Sequence, residues 1–178
     1  MGLIVLVGLY CYKHCNIKEK ILKMIYPIKY SEYVEKYSEE YGVDKLLIYS
    51  IIKAESNFNK DARSNSGAIG LMQLMEKTAL EIDPEIDEQS LYNEEINIKI
   101  GIAYFSKLLS HYNNSIELSL VAYNAGMGTV DKWIEDGVLE SDGCNVENVP
   151  YKETNNYVRK ILNDYKIYKE LYIENEGE

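Results

Sequence analysis

Apolar residues at helical spacing recur along almost the whole of this 178-residue chain, and they limit the folds open to it. The clearest segment places Leu47, Ile48, Ile51 and Ile52 on one face of a helix, with Asp44 before them as an N-cap. No alternating strand of convincing length interrupts the pattern, so we predict an all-α fold, or at most a mainly helical α+β fold. Further helices are predicted over 31–42, 71–82, 93–112, 115–125, 128–137 and 152–172, with a loop over 57–70 and a hairpin or turn-rich loop over 137–150.

Length and charge limit the partners. A chain of 178 residues suits a single globular domain. With a formal net charge of -10, the chain lacks the positive electrostatic field that attracts phosphate backbones, so no nucleic acid partner is expected. The three cysteines are an odd number without a CxxC pair, so they define no disulfide framework and no metal site. No cofactor is expected, and the oligomeric state stays open.

The N-terminus differs from the rest of the chain. Residues 2–12 form an uncharged apolar run, shorter than the roughly 20 residues of a membrane-spanning helix. Lysines follow this run rather than precede it, unlike in a secretory signal. We predict that residues 1–29 form a membrane anchor or uncleaved signal with a basic neck, and that residues 30–178 form the functional domain. The alternative is an apolar N-terminal helix packed on the domain.

One carboxylate stands within an apolar stripe. At about 100° per residue, Glu55 falls between the bearings of Ile51 and Ile48, although the helix has polar faces available. A carboxyl group against apolar side chains loses hydration when ionised, which raises its pKa and suits it to general acid catalysis of glycoside cleavage. The alternative is a helix end where the stripe meets solvent. The glycines at 67 and 70 and the amide of Gln73 would suit close approach of a sugar.

Taken together, four ordered blocks resemble the catalytic domain of the soluble lytic transglycosylases, lysozyme-like enzymes that cleave peptidoglycan. The resemblance covers about residues 30–170, nearly everything past the neck. Two positions depart from it, because Glu76 and Met127 stand where the family usually has Pro. Beginning at Glu55-Ser56, the blocks are "ARSNSGAIGLMQL", "NIKIGIAYFSKLL", "VAYNAG" and "KETNNYVRKIL".

By this resemblance Glu55 is the single catalytic acid/base. The residues alone leave other roles open: Met72 as core, Asn124 as a helix C-cap, and most of the 17 tyrosines as packing. Ser56, Asn97 and Gly101 also match family positions, and we interpret them as structural. The substrate-binding residues that the resemblance implies are Ser64, Met72, Gln73, Tyr123, Asn124 and Tyr157.

The implied reaction cleaves the β-1,4 bond between N-acetylmuramic acid and N-acetylglucosamine and leaves a 1,6-anhydromuramyl end. Such an enzyme would act on peptidoglycan strands, either anchored to the cell membrane and facing the wall or secreted. Three alternatives stay open: a goose-type lysozyme-like hydrolase, a catalytically silent wall-binding module, and a helical interaction protein.

Overall fold

The computed structural model describes residues 17–173, and α-helices form most of this part. Its β pairing is limited to isolated bridges, from Ile69 to Arg63 and to Leu74. The predicted mainly helical class is therefore confirmed. The α-helices are α1 (17–25), α2 (Ser31–Tyr41), α3 (Lys45–Ser56), α4 (Glu76–Leu80), α5 (Glu94–His111), α6 (Ile116–Ala125), α7 (Met127–Glu135) and α8 (Lys152–Tyr172), with short 3-10 helices at Gln89–Tyr92 and Val146–Asn148.

The apolar run over 2–12 lies outside the described residues, so the predicted anchor stays a prediction. Within residues 17–173, no helix is both long enough and apolar enough to cross a membrane.

Side-chain caps fix where three of the helices begin. The Asp44 carboxylate accepts a hydrogen bond from the amide of Leu46, 2.8 Å away, as the sequence predicts for the start of α3. Asn93 and Ser115 cap α5 and α6 in the same way. Because each cap satisfies an amide that the helix leaves free, these boundaries are encoded locally.

The predicted helix over 71–82 is largely wrong, because only Glu76–Leu80 is helical. Gln73 adopts a left-handed backbone conformation, with φ at 48°. Ile69 and Leu74 exchange two backbone hydrogen bonds of 2.9 and 3.0 Å, which closes a tight turn instead. The segment over 137–150 is turn-rich with a 3-10 helix and forms no hairpin, as one of the two sequence alternatives predicts.

Helix α3 lies in the middle of the core. Its seven consecutive residues from Leu46 to Ile52 are all buried, so no face of the helix is open to solvent over this stretch. Helix α8 packs along α3, and α2 packs on both α3 and α5. The buried stretch ends three residues before Glu55, so the core holds the helix that presents this carboxylate.

Candidate active site

Glu55 lies in the last turn of α3, at the wall of a cleft of about 510 Å³. The sequence predicts that this residue lies in the apolar stripe, and here the stripe opens onto the cleft. The side chain is partly exposed, so a ligand in the cleft can reach it. The cleft is lined by Glu55, Ser64, Ser66, Ala68, Gln73, Met75, Tyr123, Asn124, Ala125, Tyr151, Glu153 and Thr154.

Burial raises the pKa of Glu55 to about 7. Two contacts oppose this shift: the Tyr157 hydroxyl donates a hydrogen bond of 2.6 Å to Oε1 of Glu55, and the charge of Lys160 favours the carboxylate. Loss of hydration outweighs both of them. Near neutral pH the group can therefore give up a proton and take one back, as a single acid/base must.

Tyr123 lines the cleft, but its hydroxyl forms a hydrogen bond within the protein. It donates a hydrogen bond of 2.8 Å to the carbonyl oxygen of Met72. The ring packs on Tyr104 and Phe105, with centroids 5.7 and 6.0 Å away. Burial, followed by the charge of Glu55, holds the pKa of Tyr123 well above its usual value. Tyr123 thus ties α6 to the loop of Ser64 to Gln73, which also lines the cleft.

Ser64 and Gln73 both reach the cleft from that loop. The Ser64 hydroxyl accepts a hydrogen bond of 2.9 Å from the amide of Ala68. The Gln73 amide nitrogen donates to the carbonyls of Gly70 and Ala62, at 2.9 and 3.2 Å. The amide nitrogen of Gln73 thus holds the loop, and its Oε1 is the atom that can accept a hydrogen bond from a ligand.

Met72 does not present its side chain to the cleft. The residue is completely buried, and its sulfur packs where α5 has Gly101 in place of a larger residue. Its backbone amide donates a hydrogen bond of 2.8 Å to the side-chain oxygen of Asn97. The side-chain nitrogen of Asn97 donates in turn to the carbonyls of Ile69 and Leu91. Of the two roles left open for Met72, the structure places it in the core.

Asn124 lies inside α6 and is exposed. The helix ends at Ala125 with Gly126 as its C-cap, so Asn124 is not the C-cap. Its side-chain oxygen accepts a hydrogen bond of 2.7 Å from the Thr154 hydroxyl at the start of α8. Asn124 lines the cleft, and its side-chain amide nitrogen is a donor of the kind that a sugar hydroxyl or carbonyl accepts.

The sequence interpretation missed one side of the cleft, which consists of Tyr151, Glu153 and Thr154. Tyr151 is 55% exposed and its ring stands edge-on to Trp133, with centroids 5.0 Å apart. These residues directly precede or begin the block "KETNNYVRKIL", so the start of that block was the available signal. Glu153 adds a second carboxylate to the cleft. Asp61 is closer to Glu55 along the chain, but it does not line the cleft.

The described part of the chain contains no cluster of side chains that could bind a metal ion. Residues 17–173 contain no group of three or more His, Cys, Asp or Glu side chains placed to hold a metal ion.

Comparison with known families gives a match over most of the segments that build this site, though not over α8. The model of the Transglycosylase SLT domain matches residues 32–138, more than half of the chain. The chain belongs to this family. The matched range includes Glu55, the loop with Ser64 and Gln73, and α6 with Tyr123 and Asn124. The recognition made from the sequence is thus confirmed.

Named relatives of this SLT domain include the soluble lytic murein transglycosylase of Escherichia coli K12, 31% identical over 77% of this chain and 22% of the relative. The membrane-bound lytic murein transglycosylase C of Edwardsiella ictaluri is 31% identical over 80% of this chain and 47% of the relative. The chain therefore spans between about a fifth and a half of the length of these relatives.

The fold of this chain is also similar to those of solved lytic transglycosylase structures. An inactive mutant of lytic transglycosylase Slt from Pseudomonas aeruginosa matches with a TM-score of 0.75 and 34% identity, over 84% of this chain and 25% of that one. The 70-kDa soluble lytic transglycosylase in complex with bulgecin A matches with a TM-score of 0.75 and 28% identity, over 88% of this chain and 26% of that one.

Proposed function

We propose that this SLT domain is a peptidoglycan lytic transglycosylase in which Glu55 is the only acid/base. The observation that carries the proposal is a partly buried carboxyl group, with a pKa of about 7, at the wall of a cleft. A glycosidic oxygen leaves poorly unless it is protonated, and a carboxyl group that keeps its proton near neutral pH meets this need. The names of the relatives point to the same activity.

The reaction proceeds in two proton transfers. Glu55 protonates the oxygen between N-acetylmuramic acid and N-acetylglucosamine, and the bond from that oxygen to C1 breaks as an oxocarbenium-like centre, or a ring closed by the acetamido group, develops. The Glu55 carboxylate then takes the proton of the C6 hydroxyl, whose oxygen attacks C1. Because this nucleophile belongs to the same sugar, no second carboxylate and no water are required.

The predicted site residues have distinct parts in this proposal, although Tyr157 and Met72 do not themselves line the cleft. Tyr157 holds the Glu55 carboxyl group by a hydrogen bond and stabilises the carboxylate that forms when the proton leaves. Ser64, Gln73 and Asn124 offer polar groups to the acetamido groups and hydroxyls of the strand. Met72 and Tyr123 hold the loop from within.

Replacement of Glu55 by Gln tests the assignment. Gln has nearly the same shape but no transferable acid proton, so we expect release of anhydromuropeptides from purified peptidoglycan to fall by at least ~100-fold. Circular dichroism should show an unchanged fold. Release at the wild-type rate would refute the role of Glu55.

A hydrolase is the second candidate, since Glu153 also lines the cleft and a second carboxylate could activate water. Mass spectrometry separates the two, because the anhydro product is lighter than the hydrolysis product by one water. We expect Glu153→Gln to release the same anhydro product as the wild type. Hydrolysis products that disappear in Glu153→Gln would favour the hydrolase.

The location proposed from the sequence is the outer face of the cell membrane. Residues 1–29 would anchor the chain, and residues 30–178 would act on the wall. A membrane-bound relative of 31% identity supports this arrangement.

A further inference from the structure

Helix α1 is unlike the other helices in what it exposes. The described residues include eight large apolar side chains that are strongly exposed, and half of them lie in α1. They are Ile17, Ile21, Met24 and Ile25, with exposed fractions between 45% and 81%. Isolated exposed apolar residues need no explanation, but four in one short helix form a patch.

These four side chains share one face. At about 100° per residue they span an arc of about 100°, from Met24 through Ile17 and Ile21 to Ile25. Lys18 and Lys20 lie next to the two edges of this arc, and both are exposed. An apolar stripe between lysines is the arrangement of a helix that lies in a membrane interface, since lysine stems reach along the stripe while the ammonium groups meet headgroups.

The other face of α1 is fixed to the domain. The Tyr26 hydroxyl, one residue past the helix, donates to Asp164 at 3.1 Å, and Tyr172 donates to the Tyr26 carbonyl at 2.7 Å. Lys23 lies over the Tyr172 ring, 5.7 Å from its centroid. The apolar stripe is therefore held outward and is not free to turn into the core.

Charge selects the partner. Residues 17–29 carry four lysines against one glutamate, whereas the whole chain has a formal net charge of -10. An anionic surface attracts this segment and repels the rest of the molecule, which orients the domain. We propose that α1 is an interfacial helix that inserts its apolar stripe into a bilayer rich in anionic lipid. This is independent of the reaction assigned to the cleft.

The geometry of α8 relates this surface to the cleft. Tyr157 bonds to Glu55 near one end of α8, and Tyr172 contacts α1 at the other, fifteen residues along. Fifteen residues rise about 22 Å along a helix. Because both contacts belong to one rigid element, binding of α1 would hold the cleft at a fixed distance from the lipid.

Quenching of tryptophan by lipids brominated on their acyl chains tests the proposal in the full chain. The only native tryptophan is Trp133, which packs beside Tyr151 at the cleft. We would place a reporter with Met24→Trp in a Trp133→Phe background, and use the unaltered chain as the matched control. With phosphatidylglycerol vesicles we expect a blue shift and loss of emission for the α1 reporter, and no loss for Trp133.

Two further results decide the matter. Met24→Gln should weaken binding to these vesicles and Leu80→Gln, at an exposed apolar position of α4, should not. The quenching should diminish with phosphatidylcholine vesicles or at high salt, because lysine attraction is screened. An α1 reporter that brominated lipid leaves unquenched on bound vesicles would overturn the proposal, as would self-association of the chain that Met24→Gln abolishes without lipid.

Discussion

At the scale of residues, the central contact joins Tyr157 to Glu55. The hydroxyl favours the ionised carboxylate, so it lowers a pKa that burial raises to about 7. In Tyr157→Phe this pKa should rise further, and the loss of activity on the alkaline side should move to higher pH. The maximal rate should also fall, by about 10- to 100-fold, because the carboxylate formed in the reaction loses its donor.

A pH–rate profile of anhydromuropeptide release measures both effects. Tyr165→Phe is the matched control, because that hydroxyl, on the same helix, bonds to Asp44 away from the cleft. A Tyr157→Phe profile that coincides with the wild type would mean that the hydroxyl does not act on Glu55.

The same carboxyl group affects stability. Its pKa of about 7 in the folded protein exceeds the ordinary 4.5, so the unfolded chain releases this proton first as pH rises. The folded state therefore loses relative stability from about pH 4.5 to 7, by up to about 3 kcal/mol. Glu55→Gln removes this loss, and urea unfolding should find it more stable than the wild type at pH 8 but not at pH 4.5. Glu35→Gln, at an exposed helix position, should shift neither value by more than ~0.5 kcal/mol.

Sequence reasoning selected Glu55 as a candidate because a charge in an apolar stripe conflicts with the local pattern, and such conflicts are visible without a structure. It could not decide whether the Met72 side chain faces the core or the cleft. That depends on Gly101, which is distant in sequence and leaves the space that the sulfur fills. Tyr151 was missed because its only signal was its position directly before the block "KETNNYVRKIL", and nothing else distinguishes one exposed aromatic among 17 tyrosines.

At the scale of elements, the loop before α4 depends on its packing against α5. Periodicity predicts a helix over 71–82, yet Asn97 of α5 bonds to the backbone of Ile69 and Met72 and holds a turn. A long-range contact thus overrides the local preference, which a pattern of spacing alone cannot reveal. The helices with their own caps, by contrast, were predicted closely.

Gly101→Ala tests this contact. An added Cβ would lie 2.3 Å from the sulfur of Met72 and 2.9 Å from its Cβ, so α5 and the loop must separate. We expect a loss of about 1–3 kcal/mol in unfolding free energy and weaker glycan cleavage, since the loop carries Ser64 and Gln73. Gly128→Ala in α7 is the matched control, because its Cβ meets nothing within 4 Å. Equal stability of the two variants would contradict the packing described.

At the scale of the whole molecule, a buried ion pair joins three segments. Lys53 of α3 lies 3.0 Å from Asp164 of α8, and their side chains are 13% and 6% exposed. Tyr26 donates to the same carboxylate, and Lys53 lies 4.4 Å from the centre of its ring. The pair is two residues from Glu55 along α3, so it fastens the end of α1 to the two helices that carry the site.

Lys53→Met should destabilise the protein by about 3–5 kcal/mol, since it leaves the buried Asp164 charge without its cation. Lys45 also belongs to α3 and forms an exposed pair with Glu35 of α2, so Lys45→Met should cost no more than ~1 kcal/mol. Urea unfolding of both variants measures the difference. The double variant Lys53→Met/Asp164→Leu should recover most of the loss, because it buries apolar groups in place of an unpaired charge. If instead Lys53→Met is as stable as Lys45→Met, the pair does not fasten these segments, and packing of α3 on α8 alone must hold Glu55 beside Tyr157.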